Sequence, residues 1–147
     1  MWGYLIAILS GILMSTQGVF NTQVTKQTSL WVSAAFVQFT ALAVCLAAWF
    51  LTDRSSFSSL GRVEPWYLLL GGVLGAFITM TVIQATGSLG PAGAAMVIVI
   101  AQLIGSYLIE LLGLFGMEKQ PLDWQKVIGM AISILGVILF SKGSSYF

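Results

Sequence analysis

Residues 92–115 read AGAAMVIVIAQLIGSYLIELLGLF, an apolar stretch in which Glu110 is the only charged side chain. A run of about 20 apolar residues matches the hydrocarbon core of a bilayer, whereas a soluble helix of that length needs a polar face. The rest of the chain has the same character, with hydrophobic residues at 58% and charged residues at 7%. No soluble class has this composition, so the sequence predicts an all-α integral membrane protein.

Hydropathy predicts five transmembrane helices in one transmembrane domain that covers residues 1–147. Their approximate bounds are Trp2 to Val24, Leu30 to Leu51, Trp66 to Thr86, Ala92 to Phe115 and Trp124 to Phe140. The tryptophans fall near span ends, where indole rings favour the headgroup boundary. Gly87, Gly90 and Pro91 predict a tight antiparallel hairpin between the third and fourth helices. The first span lacks a basic segment before it and is too long for a signal peptide, so we expect it to be retained.

The basic residues determine the orientation only weakly. The predicted N-terminal side carries Arg54, Arg62, Lys119 and Lys126, and the opposite side carries Lys26 and Lys142. The positive-inside rule then places the N-terminus in the cytoplasm. A bias this small is also typical of a protein that inserts both ways round, so an antiparallel homodimer is a hypothesis.

Polar side chains share a face on two of the predicted helices. Gln17 and Asn21 are four residues apart on the first helix, and Gln102, Ser106 and Glu110 step by four on the fourth. Each face would otherwise expose polar groups to lipid, so we expect both to line one cavity for a substrate or coupling ion. The alternative for the amides is hydrogen bonding to a neighbouring helix as a packing device.

Glu110 has two interpretations. As a carboxylate that lines a water-filled path, it would bind a cation or carry a proton. As an interfacial carboxylate, it would reach water by snorkelling, cap a helix or pair with Lys119. Gln38 and Gln84 are further candidates for the cavity on the second and third helices, and packing is equally open for Gln38.

Small residues at helical spacing predict close contacts between helices. They are Gly71 and Gly75 on the third helix, and Gly129, Ser133 and Gly136 on the fifth. Small side chains let helix backbones approach closely in lipid, so the fifth helix is a candidate dimer interface.

Several function classes are disfavoured by what the sequence lacks. There is no histidine and one cysteine, so no His/Cys metal site and no Ser–His or Cys–His couple can form. We therefore expect no enzyme activity, no metal and no cofactor. No basic tract suggests a nucleic acid partner.

The motifs resemble the YdcZ-type branch of the drug/metabolite transporter superfamily. The similar segments are SGILMSTQGVFN (residues 10–21), AQLIGS (101–106), ELLGLFG (110–116) and the following Pro121, Leu122 and Trp124. Two positions depart from the family pattern. Ala101 stands where the family commonly has glycine, and Glu110 followed by Leu111 stands where it often has aspartate and a polar residue.

The resemblance implies a small multi-pass exporter in the bacterial inner membrane, built as half of a ten-helix transporter. Two copies, or a pair of homologous subunits, would complete it and carry a small metabolite or organic cation by alternating access, with protons as one candidate for coupling. A membrane subunit without transport activity of its own is the alternative, and a channel is a third hypothesis.

Overall fold

The computed structural model describes the backbone of residues 1–143 and the side chains of residues 1–140. Four stretches are α-helical: α1 (Trp2–Gln27), α2 (Leu30–Thr52), α3 (Gly71–Leu112) and α4 (Trp124–Gly143). Short 3-10 helices occupy Phe57–Arg62, Trp66–Leu70 and Leu114–Gly116. The described residues contain no β-strand. The predicted all-α class is therefore confirmed.

Three segments of the described chain are long and apolar enough to cross a membrane. They are Trp2–Gln27, Leu30–Thr52 and Trp66–Leu112, and a shorter apolar helix follows at Trp124–Phe140. Apolar side chains cover much of the surface of these helices, as in Phe39 at 69% and Leu139 at 71% exposure. Such a surface is stable in lipid rather than in water.

The Trp66–Leu112 segment is interrupted by a break at Gly90. Gly90 has φ 74° and ψ 164°, a conformation that only glycine adopts readily. Pro91 follows, and its missing N–H is harmless at a helix start. The break divides α3 into α3a (71–89) and α3b (92–112). The helix continues through residue 89, past the approximate span end predicted at Thr86. The hairpin and the count of five spans stay predictions.

The chain divides after Pro91 into two compact units. In the N-terminal unit, α1 and α2 are joined by Thr28 and Ser29, and the Ser29 hydroxyl accepts a hydrogen bond of 3.2 Å from the Val32 N–H at the start of α2. This is an N-cap, which satisfies one free N–H of the first turn. So short a connection makes α1 and α2 an antiparallel pair.

The C-terminal unit contains α3b and α4. Gly113 adopts the left-handed conformation (φ 66°, ψ 39°) and ends the α-helix at Leu112, before the approximate span end predicted at Phe115. α4 begins at Trp124, the residue from which the fifth span was predicted to start. There the Asp123 carboxylate accepts a hydrogen bond of 2.8 Å from the Gln125 N–H, again as a helix cap.

Candidate functional site

The charged residue of the predicted fourth span has a partner on the next helix. Lys126 Nζ lies 3.0 Å from Glu110 Oε2, and the two side chains are 49% and 39% exposed. Glu110 is two residues from the end of α3b, and Lys126 is in the first turn of α4. The ion pair therefore lies at an end of both helices. The partner is Lys126, not the Lys119 that the sequence suggested.

Backbone contacts hold these two helix ends together without using either charged group. The buried Tyr107 hydroxyl accepts a hydrogen bond of 2.8 Å from the Asp123 N–H and donates one of 3.3 Å to the Asp123 carbonyl. The Gln120 N–H donates to the Glu110 carbonyl at 2.9 Å. The position of Lys126 opposite Glu110 therefore follows from this connection, because Asp123 is one turn before Lys126.

A cleft of about 430 Å³ lies between α3b and α4, and we call it the inner cleft. Its lining residues are Leu103, Ser106, Tyr107, Glu110, Lys126, Gly129, Met130 and Ser133. Leu103 and Ser133 are each seven residues from the ion pair, which is about 10 Å along a helix with a rise of 1.5 Å per residue. The inner cleft thus has charged groups at one end and mainly apolar walls beyond them.

A second cleft of about 520 Å³, which we call the outer cleft, shares the ion pair. It is lined by Glu110, Gly116, Met117, Glu118, Gln120 and Lys126. Glu110 and Lys126 therefore stand between the inner cleft along the helices and a cleft formed by the connecting loop. Lys126 Nζ is also 5.5 Å from the centre of the Tyr107 ring, within the range of a cation–π contact.

The polar residues of the N-terminal unit are arranged differently. Asn21 is buried at 8% exposure, and its backbone carbonyl accepts a hydrogen bond of 3.0 Å from the Ser33 hydroxyl. Thr22 hydrogen-bonds the carbonyl of Gly18 at 2.7 Å and that of Ile83 in α3a at 3.5 Å. These contacts pack α1 against α2 and α3a. They involve the backbone carbonyl of Asn21 and the hydroxyl of Thr22, so the role of the side-chain amides of this face stays a prediction.

The remaining amide candidates do not gather around one site within the described contacts. Gln17, Gln84 and Gln102 are exposed, and Gln38 is half-buried with its Nε2 3.8 Å from where a Cβ on Gly75 would lie. Of the predicted fourth-helix residues, the structure brings Ser106 and Glu110 together in the inner cleft. A cavity shared by the faces of the first and fourth helices stays a prediction.

Three of the predicted packing glycines have open space where a Cβ would lie, whereas a glycine on α1 is closely packed. A Cβ on Gly71, Gly129 or Gly136 would meet no atom within 4 Å. Gly129 and Ser133 line the inner cleft, whereas Gly136 does not. On α1, by contrast, a Cβ on Gly18 would lie 3.4 Å from Val82 and 3.5 Å from Thr86.

Sequence reasoning missed Lys126, Tyr107 and Asp123. Lys126 looked like a loop charge because it follows the Trp124 boundary closely, and only the fold of the connecting loop brings it to Glu110. The sequence does contain an indication of this pairing. A lysine in the first turn of a short apolar helix lies within reach of an acid near the end of the preceding helix. No group of three or more His, Cys, Asp or Glu side chains suited to a metal occurs among the described residues.

Comparison with known proteins agrees with a multi-pass membrane protein. The sequence model of the family described as "Putative inner membrane exporter, YdcZ" matches residues 2–139. The chain is 25% identical over 140 residues to the inner membrane protein YdcZ of Escherichia coli strain K12, with 93% of each chain covered. No solved structure matches the chain.

Proposed function

Because this chain belongs to the YdcZ family of inner membrane exporters, we propose that it exports a small metabolite or organic cation as a dimer. Membership of the family and the apolar helices of the chain make it a multi-pass inner membrane protein. The description of the family as an exporter supports a transporter rather than an enzyme. The substrate class, the dimer, alternating access and proton coupling are the parts that we propose beyond this.

The observation that carries the proposal is the position of Glu110. It is the only charged residue between Pro65 and Gly116, it lines the inner cleft, and its carboxylate is already paired with the cation Lys126. A proton and a substrate ammonium would compete with each other for this carboxylate. Competition of this kind lets one group bind substrate and coupling ion in turn, because both cannot occupy it at once.

Alternating access requires a deep site that is surrounded by more helices than one chain supplies. We propose that α1, α2, α3a, α3b and α4 each cross the membrane, and that two antiparallel copies form a ten-helix transporter. The weak charge bias supports the antiparallel arrangement, because it lets either orientation insert. Glu110 near the end of its helix is then at the mouth of a pathway that the second copy would complete.

Flux through purified protein in liposomes tests the proposed function. The probe is benzyltrimethylammonium, whose permanent charge prevents passive crossing, and pyranine enclosed in liposomes with an acidic interior reports protons. We expect the cation to be taken up while protons leave, with saturation at high concentration. Protein-free liposomes are the control. Protein that needs a second subunit would give no flux, and a channel would give flux that does not saturate.

The dimer is tested at Gly136. A leucine there is expected to weaken association, because Gly136 is open in the single chain and backbone approach at a small residue would be blocked. Ala131→Leu is the matched control, since it adds similar bulk to an exposed position roughly 140° around the helix. Single-molecule photobleaching in lipid gives the oligomeric state. Monomers of the unchanged protein at all working concentrations would contradict the dimer.

A further inference from the structure

The inner cleft combines one positive group, one negative group and apolar walls. We infer that it binds a zwitterion with a short apolar body, such as an α-amino acid, next to the Glu110–Lys126 pair. This inference rests on the proposed function, because it names the substrate class of the same site.

Charge balance favours a zwitterion over a simple cation or anion. Within the described chain, Glu110 and Lys126 are the only charged side chains that line the inner cleft, so its charges sum to zero when both are ionised. A bound cation would satisfy Glu110 but repel Lys126, and a bound anion would do the reverse. A zwitterion placed antiparallel to the pair brings each of its charges next to the opposite charge of the protein.

Both protein groups retain unused hydrogen-bonding capacity. An ammonium has three N–H donors and a carboxylate has two oxygens, yet the pair uses one contact, from Lys126 Nζ to Glu110 Oε2. Among the described residues no other hydrogen bond reaches either charged group. Both side chains are about half exposed, so a ligand can approach them while they remain paired. The two charges of an α-amino acid are carried on one carbon and therefore match a close ion pair.

The rest of the inner cleft fits a ligand that has a short apolar body and few polar groups. Leu103 and Met130 provide apolar wall, and the flexible methionine side chain adapts to different shapes. Ser106 and Ser133 add hydroxyls, and the Ser133 hydroxyl is bound to the Gly129 carbonyl at 2.9 Å. The volume of about 430 Å³ lies in the range of roughly 300–1,000 Å³ that is usual for small-molecule sites.

A purely structural role for the ion pair is the competing explanation. The connection between α3b and α4 already has the Tyr107–Asp123 hydrogen bonds and the bond from Gln120 to the Glu110 backbone. Exposed ion pairs add little to stability. Variants that remove one charge are therefore expected to fold, which makes the binding of ligands to them measurable.

Three probes with one phenyl body separate the charge classes: phenylalanine as zwitterion, phenethylamine as cation and 3-phenylpropionate as anion. Binding to purified protein near neutral pH is measured by isothermal titration calorimetry. We expect phenylalanine to bind about tenfold or more tightly than either single-charge probe, the scale of one lost charged hydrogen bond. Lys126→Met should reverse the preference in favour of phenethylamine, and Glu110→Gln in favour of 3-phenylpropionate.

The matched controls are Glu118→Gln and Lys119→Met, which change charges near the pair that do not line the inner cleft. Both are expected to leave the preference for phenylalanine unchanged. The inference would be overturned if phenethylamine bound the unchanged protein as tightly as phenylalanine does, or more tightly. It would also be overturned if phenylalanine bound the unchanged protein no more tightly than it binds Lys126→Met. Phenylalanine binding without flux of labelled phenylalanine or benzyltrimethylammonium under any gradient would instead overturn the proposed function and leave the zwitterion site standing.

Discussion

Glu110→Gln is expected to abolish proton-driven flux while the protein still inserts and folds. The amide keeps the shape of the side chain but removes the negative charge that binds a substrate ammonium or a proton. The loss in flux should be about tenfold or more, since a hydrogen bond to a charged group is worth roughly that factor in binding. Flux is measured in the pyranine liposomes, and folding is checked by gel filtration and tryptophan fluorescence.

Two further variants show that the effect belongs to this carboxylate. Glu118→Gln removes an acid that lines the outer cleft together with Glu110 but is absent from the inner one, and it should leave flux nearly unchanged. Glu110→Asp keeps the charge but draws it back from Lys126 by about the length of one methylene. This variant should therefore retain partial flux. Unchanged flux in Glu110→Gln would remove the coupling role and leave Glu110 as an interfacial acid.

The all-α membrane class and most helix starts could be predicted from local chemistry. The apolar runs at Trp2–Gln27 and Leu30–Thr52 indicate directly that these helices lie in lipid, and Trp124 marks the start of α4. Helix ends were less predictable, because hydropathy does not distinguish a helix from an apolar loop. Gly90 and Gly113, rather than a change in polarity, end α3a and α3b.

The sequence indicates only some of the residues that line the inner cleft. Glu110 and Ser106 stand out in sequence because they interrupt an apolar run at helical spacing. Lys126 does not, because its role depends on a loop that turns back on itself and on a hydrogen bond between Tyr107 and the backbone of Asp123. Asn21 is visible in the sequence as a polar residue on a helix face, but its burial and the contact of its carbonyl with Ser33 of α2 depend on tertiary packing.

The loop that brings Lys126 to Glu110 begins at Gly113, so Gly113→Ala is expected to destabilise both the fold and the site. Gly113 has φ 66°, where a residue with a Cβ is disfavoured by about 1–2 kcal/mol. The new Cβ would also lie 3.1 Å from the Cβ of Lys119 and 3.4 Å from its Cα and N. Those atoms belong to the returning segment that hydrogen-bonds the Glu110 carbonyl through Gln120, so the segment must shift.

Gly116→Ala is the matched control, because Gly116 has a similar φ of 84° but open space around its missing Cβ. Both variants carry the backbone penalty, whereas only Gly113→Ala carries the contact with Lys119. The thermal unfolding midpoint in detergent, followed by tryptophan fluorescence, should therefore fall in both and fall further in Gly113→Ala. Flux should drop more in Gly113→Ala as well, since displacement of residues 117–120 moves the start of α4 and separates Lys126 from Glu110. Equal midpoints and equal flux in the two variants would mean that the contact with Lys119 does not position the ion pair.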